Sequence, residues 1–306
     1  MAPADDLAFG PEGGQWHYKR ETKTFDLTRG SSGADTSNNK TNKFTVGTTQ
    51  GPADTKIELD PAKTALVIVD MQNFFLDPKC MDHPTGVAAV EPLIGTIAKC
   101  RELGIEARTL LPLNLIWLSF LSHRLKSGDE IIARRKGKTT AVIWLTWGLT
   151  DADLASMPAG VLRGFANSLV ARHEDPVHSG LGVDLGAEKG RTLYAGAWNS
   201  EVVPRLAASP VTDIEGDVFC AKNRMSGMWT PEQPLYKHLE KTGKTSLLFA
   251  GVNTDECVLG TLVDAYNAGW DCVLLDDCCG TTTPNGHEVT VYNLMVSKQR
   301  FLFPTR

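Results

Sequence analysis

The sequence has no run of about 18 consecutive apolar residues, the length a membrane-crossing helix needs. Its nearest approach, Leu110–Leu121, is too short and carries Pro112. It has no cationic excess either. Its 31 Lys and Arg against 36 Asp and Glu give a formal net charge of -5, without the electrostatic footprint of a nucleic-acid or anionic-membrane binder. The start, MAPADDLAFGPEGG, lacks the basic end and apolar stretch of a secretory signal. Cysteine is sparse, an odd seven in 306 residues, which excludes a dense disulfide scaffold. No CxxC pair and no HExxH occurs, and the adjacent Cys278 and Cys279 are poorly placed for one zinc. Gly-x-Gly-x-x-Gly, Walker A and GxSxG motifs are also missing, so dehydrogenase, NTPase and serine-esterase readings lose their support. What is present is a 42% hydrophobic chain, long enough for a substantial core in one large or two small domains. The expectation is a reduced, cytoplasmic enzyme with no cofactor, no metal site, and neither nucleic acid nor membrane as partner.

Residues 1–60 stand apart as an N-terminal extension. Trp16-His-Tyr and Thr24-Phe-Asp-Leu suit short extended pieces, while the Gly-, Ser-, Thr- and Asn-rich stretch 30–55 has too little apolar surface to fold alone. From Pro61 the pattern alternates between strands and helices. Ala65–Val69 is a continuous apolar, β-branched run, as in a strand buried on both faces. Residues 87–103 predict a helix closed by Gly104, 142–147 a strand, 151–165 a short helix, and 173–196 a glycine-rich loop. Helices are predicted over 200–208 and 231–242. A β-α-β unit follows in SLLFAGV (246–252), a helix over 255–268 and CVLLD (272–276). Such alternation argues for a parallel sheet covered by helices, with ligands outside the carboxyl ends of its strands. Residues 107–140 interrupt a helix-to-strand connection that normally needs 2–6 residues. A peripheral insertion is the favoured reading, and a partner-binding or membrane-touching segment the alternative. The main α/β domain is therefore expected over 61–298, with 299–306 as a tail.

Chemistry-bearing residues fall at the predicted strand ends. Asp70 ends the first strand in VIVDMQN, at the mouth of any site above the sheet. Cys257 follows SLLFAGV in GVNTDECV, with Thr254 or Asp255 suited to N-cap the next helix. In a first helical turn, orphan N–H groups and the dipole favour thiolate. Lys222 lies in VFCAKNRMSG, after an apolar pair and before a polar turn. Each position also has an ordinary structural explanation: a turn cap, an inert buried thiol, a surface lysine.

Taken together, TALVIVDMQNFFLDP, DVFCAKNRMSGMW and GVNTDECVLGTLVDAYNAGWDCVLLDD resemble the isochorismatase-like cysteine hydrolases, over 63–106 and 141–293. That family includes nicotinamidases, N-carbamoylsarcosine amidohydrolases, and biuret and ureidoacrylate hydrolases. The resemblance implies a three-layer α/β/α fold around a six-stranded, mostly parallel sheet. It implies Asp70, Lys222 and Cys257 as a catalytic triad, and an oxyanion hole from the backbone N–H groups of Asn253 and Cys257. It also implies a cis peptide at Val252–Asn253, and Gln72 as a brace for that loop. The expected reaction is hydrolysis of a linear amide or ureido C–N bond of a small molecule through a thioester. Asn73, Phe74, Trp147, Arg224 and Trp229 lie beside these motifs and are candidate substrate-binding residues, with ordinary packing as the alternative. A homo-oligomer is expected.

Two departures narrow the reading. IWLTWGL carries none of the Asp and His residues of the nicotinamidase metal cluster, so no metal is expected there. The tail LMVSKQRFLFPTR departs from the family pattern, which puts the last strand in question. An isochorismate-type vinyl ether hydrolase, or an idle interaction protein, are the alternatives; Cys257 speaks against the first and the intact trio against the second.

Overall fold

The computed structural model describes residues 6–29, 43–49, 54–107, 139–140, 142–170, 180–213, 216–298 and 301–303. Short strands β1 (Leu7–Phe9), β2 (Trp16–Lys19), β3 (Thr24–Asp26), β4 (Phe44–Gly47) and β5 (Lys56–Leu59) form one sheet in the order β1-β2-β3-β5-β4. The main sheet is built from β6 (Thr64–Val69), β9 (Val142–Trp147), β10 (Val218–Lys222), β11 (Ser246–Val252), β12 (Asp271–Gly280) and β13 (Phe301–Phe303). Its order is β10-β9-β6-β11-β12-β13, and every pairing in it is parallel. This is the expected six-stranded α/β/α architecture. The tail questioned on sequence supplies the sixth strand.

The middle strands are apolar throughout because both faces are covered. Leu66, Val67, Ile68 and Val69 in β6, and Phe249 and Ala250 in β11, are fully buried. Helix boundaries follow local chemistry more closely than apolar periodicity. Thr150 and Asp153 form a capping box that starts Asp151–Ser156, and Pro158 then breaks the predicted 151–165 helix in two, the second part running Ala159–Val170. Pro204 opens the helix expected from 200, which shrinks to Pro204–Ala207 behind a 3₁₀ turn at Trp198–Ser200. Val90–Glu102 is preceded by a separate turn, Pro84–Ala88, and followed by Gly104 at φ 70.

The N-terminal segment does more than its composition suggests. Leu27, Ile57 and Leu59 are fully buried in the common core. Trp16 Nε1 donates to Asp271 Oδ1 at 2.9 Å, and Arg29 Nη2 donates to the same oxygen at 2.6 Å and to Gly269 O at 3.1 Å. Asp271 is the first residue of β12, so these contacts lie at the amino end of the main sheet. Burial pushes the Asp271 carboxyl up, against the pull of Arg29. Strands of three or four residues carry too little alternation to be read from sequence as a sheet.

At the insertion, β7 (Glu106–Ala107) pairs antiparallel with β8 (Thr139–Thr140), and Ile105 and Val142 on either side are fully buried. The reading of 107–140 as peripheral otherwise falls on 108–138, outside the described residues. No helix among the described residues is long and apolar enough to cross a membrane.

Candidate active site

Register brings the chemistry together. In the parallel ladder Lys222 of β10 lies opposite Trp147 of β9, Val69 of β6 opposite Leu145, and Gly251 of β11 opposite Val69. Asp70, Trp147, Lys222 and the turn after Val252 therefore occupy one level at the carboxyl edge of the sheet. Asp70 leaves β6 at φ 52, in the left-handed region, where a non-glycine residue is strained and needs its surroundings to hold it.

Gly251 is required by this convergence. Its φ is 118, and a Cβ there would stand 2.0 Å from Val69 O on the neighbouring strand. Gly251→Ala is expected to be among the most destabilising single substitutions. The backbone conformation alone costs about 1–3 kcal/mol, before the strands are forced apart. A thermal unfolding midpoint equal to that of the parent would contradict this account.

The three candidate residues meet. Lys222 Nζ lies 2.9 Å from Asp70 Oδ2, 3.4 Å from Cys257 Sγ and 3.1 Å from Arg224 O, which accepts from it. Asp70 and Lys222 are fully buried and Cys257 almost so. Neither carboxylate oxygen of Asp70 receives a well-aligned hydrogen bond, so the close Lys222 contact is one of charge, approached off the hydrogen-bond axis. Burial raises the Asp70 carboxyl above its ordinary range, with Lys222 pulling it down. Burial likewise pushes the Cys257 thiol up, opposed by Lys222 and reinforced by Asp70. The helix end and Lys222, which favour thiolate, thus meet two opposing influences. Enclosure and the facing carboxylate both oppose the helix end and favour the thiol.

Cys257 sits in a π turn, Thr254–Val258, leading into the helix Leu259–Asn267. Val258 N–H reaches back five residues to Asn253 O at 3.2 Å. The N-cap is Asn253, without a side-chain cap bond, rather than Thr254 or Asp255. The Val252–Asn253 peptide is cis, as the resemblance implied. Thr261 Oγ1 anchors Cys257 O at 2.7 Å and accepts from Gly227 N–H at 3.1 Å. The amides of Asn253 and Cys257 lie at this opening turn, where helical N–H groups find no partner in a preceding turn.

Sequence reading missed His83. It is buried, its Nδ1 accepts from Gly86 N–H at 2.9 Å, and Nε2–H therefore donates to Asn253 Oδ1 at 2.5 Å. Asn253 Nδ2 donates in turn to Glu256 Oε2 at 3.1 Å. The usable signal was His-Pro at a helix start, a capping pattern that says nothing of the distant Asn253. Gln72 has a different role from the one expected. Its Oε1 accepts from Trp147 N–H at 3.0 Å, and its Nε2 donates to Trp147 O at 2.8 Å and Ser200 O at 2.7 Å. It braces Trp147 rather than the Asn253 turn, because its side chain lies against the end of β9.

Among the candidate substrate-binding residues, Trp147 packs its ring on the trio, the centroid 3.9 Å from Lys222 Nζ, and Arg224 touches Lys222 through its carbonyl. Asn73 is buried, with Nδ2 bound to Trp198 O at 2.9 Å and Oδ1 without a donor. Phe74 stands edge-on to Phe75. Arg224 lies over the exposed Trp229 ring at 5.1 Å, and its Nη1 donates to Asn223 O at 2.7 Å. None of the trio lines a cleft of about 640 Å³ bounded by Asp82, Thr85, Asp276, Thr281, His287 and Glu288 among others. The cleft's one thiol, Cys279, is fully buried with its pKa driven far up by burial, and no base is hydrogen-bonded to it. Among the described residues no three or more His, Cys, Asp or Glu side chains are grouped to hold a metal ion.

A parallel α/β sheet with a buried Asp–Lys–Cys cluster at its carboxyl edge defines a class, the α/β enzymes that carry a cysteine beside an acid and a base. The signature of the isochorismatase domain matches residues 167–304. Ureidoacrylate amidohydrolase RutB of Methylobacterium radiotolerans is 24% identical over 242 residues, covering 78% of this chain and 75% of RutB. Two crystal structures share the fold. An isochorismatase family protein from Desulfovibrio vulgaris has a TM-score of 0.52 at 20% identity, over 79% of this chain and 94% of that one. A cysteine hydrolase from Pseudomonas syringae has a TM-score of 0.53 at 14% identity, over 80% and 90%. The domain match over the C-terminal part, the relative and the shared fold make the chain similar to the isochorismatase-like cysteine hydrolases.

Proposed function

We propose that the chain is an amidohydrolase that cleaves a linear amide or ureido C–N bond of a small molecule, with Cys257 as nucleophile. The observation that carries this reading is Lys222 Nζ standing 2.9 Å from Asp70 and 3.4 Å from the Cys257 sulfur in an enclosed site. Asp70 takes the thiol proton, and its raised pKa suits that task better than an ordinary carboxylate would. The sulfur then attacks the carbonyl carbon. Lys222 balances the charge on sulfur and carboxylate, and the Asn253 and Cys257 amides receive the oxyanion, each such donor contributing about 10²–10³ in rate. Asp70 returns the proton to the departing nitrogen as the C–N bond breaks, leaving a thioester. Water, deprotonated by Asp70, attacks the thioester, and the sulfur leaves with that proton.

Two further points support an amide or ureido substrate. RutB, the relative described above, is named for such a reaction. The Asp70 oxygens lack aligned donors, which a substrate –NH₂ or –NH– supplies. Arg224 beside Trp229 is the candidate anchor for an acidic substrate group.

A panel of small ureido compounds and primary amides, assayed for ammonia release across pH, tests the reading. At least one should be turned over. The ionised carboxylate is the active form and burial raises its pKa, so activity should disappear on acidification at a pH above the ordinary carboxylate range. No release from any compound, or an acid limb near pH 4, would count against it.

A further inference from the structure

The indole of Trp147 holds a position that neither packing nor a substrate wall accounts for. It is fully buried, its face lies 3.9 Å from the Lys222 ammonium, and the edge of the Phe165 ring closes on it at 5.1 Å. Gln72 grips both its backbone N–H and its carbonyl, so the side chain issues from a fixed point. Yet its Nε1–H, a donor with no acceptor capacity, has no well-aligned hydrogen-bond partner. A buried indole N–H left without an acceptor is unfavourable, and this one stands at the trio, beside the equally unpaired oxygens of Asp70.

Register and burial say what the missing acceptor is. Trp147 and Lys222 face each other across the β9–β10 ladder, and Lys222 reaches the Cys257 sulfur. The neutral thiol is a weak acceptor, whereas a thiolate is a strong one. We propose that Trp147 Nε1–H donates to the Cys257 sulfur once the thiol has given its proton to Asp70, a role that rests on Cys257 being the nucleophile. The Trp147 side chain already draws the thiol pKa down as a hydrogen-bond donor near the sulfur, against burial and Asp70. Three groups thus address the sulfur: Lys222 by charge, Trp147 by a hydrogen bond that forms with the charge, and Asp70 as proton acceptor. The resting orphan becomes satisfied only in the reactive state, so the interaction favours thiolate over thiol, as catalysis requires. It also explains why β9 ends in an indole clamped by Gln72.

The test is the pH dependence of Cys257 alkylation by iodoacetamide, read by mass spectrometry of the labelled peptide. Trp147→Phe keeps an aromatic body over Lys222 and removes the donor. If that variant folds poorly, 3-benzothienylalanine at position 147 replaces N–H by sulfur within the same ring outline. Either change should slow alkylation about tenfold or more at neutral pH and move the alkylation midpoint upward, as for a lost hydrogen bond to a charged group. A folded benzothienylalanine protein with the parent alkylation profile would overturn the proposal. Failure of the nucleophile reading shows separately, as substrate turnover that survives Cys257→Ala.

Discussion

Cys257→Ala should lose turnover by roughly 10⁴-fold or more, since removing the nucleophile removes the covalent route altogether. The fold should persist. Cys257 is one sulfur atom at the edge of the core, and its turn is held independently by Thr261 and by the Asn253–Val258 bond. The unfolding midpoint should move by only about 2–4 °C, the equivalent of about 1 kcal/mol in a domain of this size. Competition between iodoacetamide and a substrate amide supplies an independent reading. Cys257 should be labelled and be protected by the amide, while the enclosed Cys100 and Cys220 stay unlabelled. Full activity in the alanine variant would end the thioester mechanism.

The second large effect separates the stability of the Asp70–Lys222 pair from its chemistry. Both side chains are completely buried, and they stand 2.9 Å apart. Lys222→Met leaves a carboxylate without its counter-charge, and Asp70→Asn leaves an ammonium. Each single substitution should cost about 3–5 kcal/mol of unfolding free energy and nearly all activity. The double variant Asp70→Asn/Lys222→Met removes both charges, so it should recover much of the stability while staying inactive. Urea unfolding of the four proteins measures the coupling directly. If Lys222→Met alone proved as stable as the parent, the two groups would not form an ion pair in a dry environment, and the proposed proton path would lose its basis.

The site was legible where side-chain type and strand position coincide. VIVD, AK at the end of β10, and the cysteine after SLLFAGV marked the three residues that meet, because a parallel sheet puts all its strand ends on one edge. What escaped depends on contacts between distant segments. Nothing in GVNTDEC distinguishes a π turn capped by Asn253 from an ordinary helix capped by Thr254. His83 and Asn253 are 170 positions apart, and no local pattern joins them. Gln72 was read as a brace for the wrong loop for the same reason: its partners, Trp147 and Ser200, come from separate crossovers. The enclosure of the thiol escaped because a helix end is visible in sequence, whereas full burial is not. The small N-terminal sheet went unread because it is assembled from fragments too short to carry a period.

That small sheet has a bearing on how the molecule can change over evolutionary time. Its anchor, Asp271, begins β12, while Asp70, Lys222 and the Cys257 turn follow the far ends of their strands. The two jobs are thus separated along the strand direction, roughly 3.3 Å for every residue of strand length. Variation at Trp16 or Arg29 is read out as cohesion, and variation in the turns beyond Val69, Lys222 and Val252 as specificity, with the rigid body of the sheet as insulation between them. A lineage can therefore explore new substrates in those turns while the opposite end keeps the chain folded, and a loosened foundation can be repaired without disturbing the geometry around the sulfur.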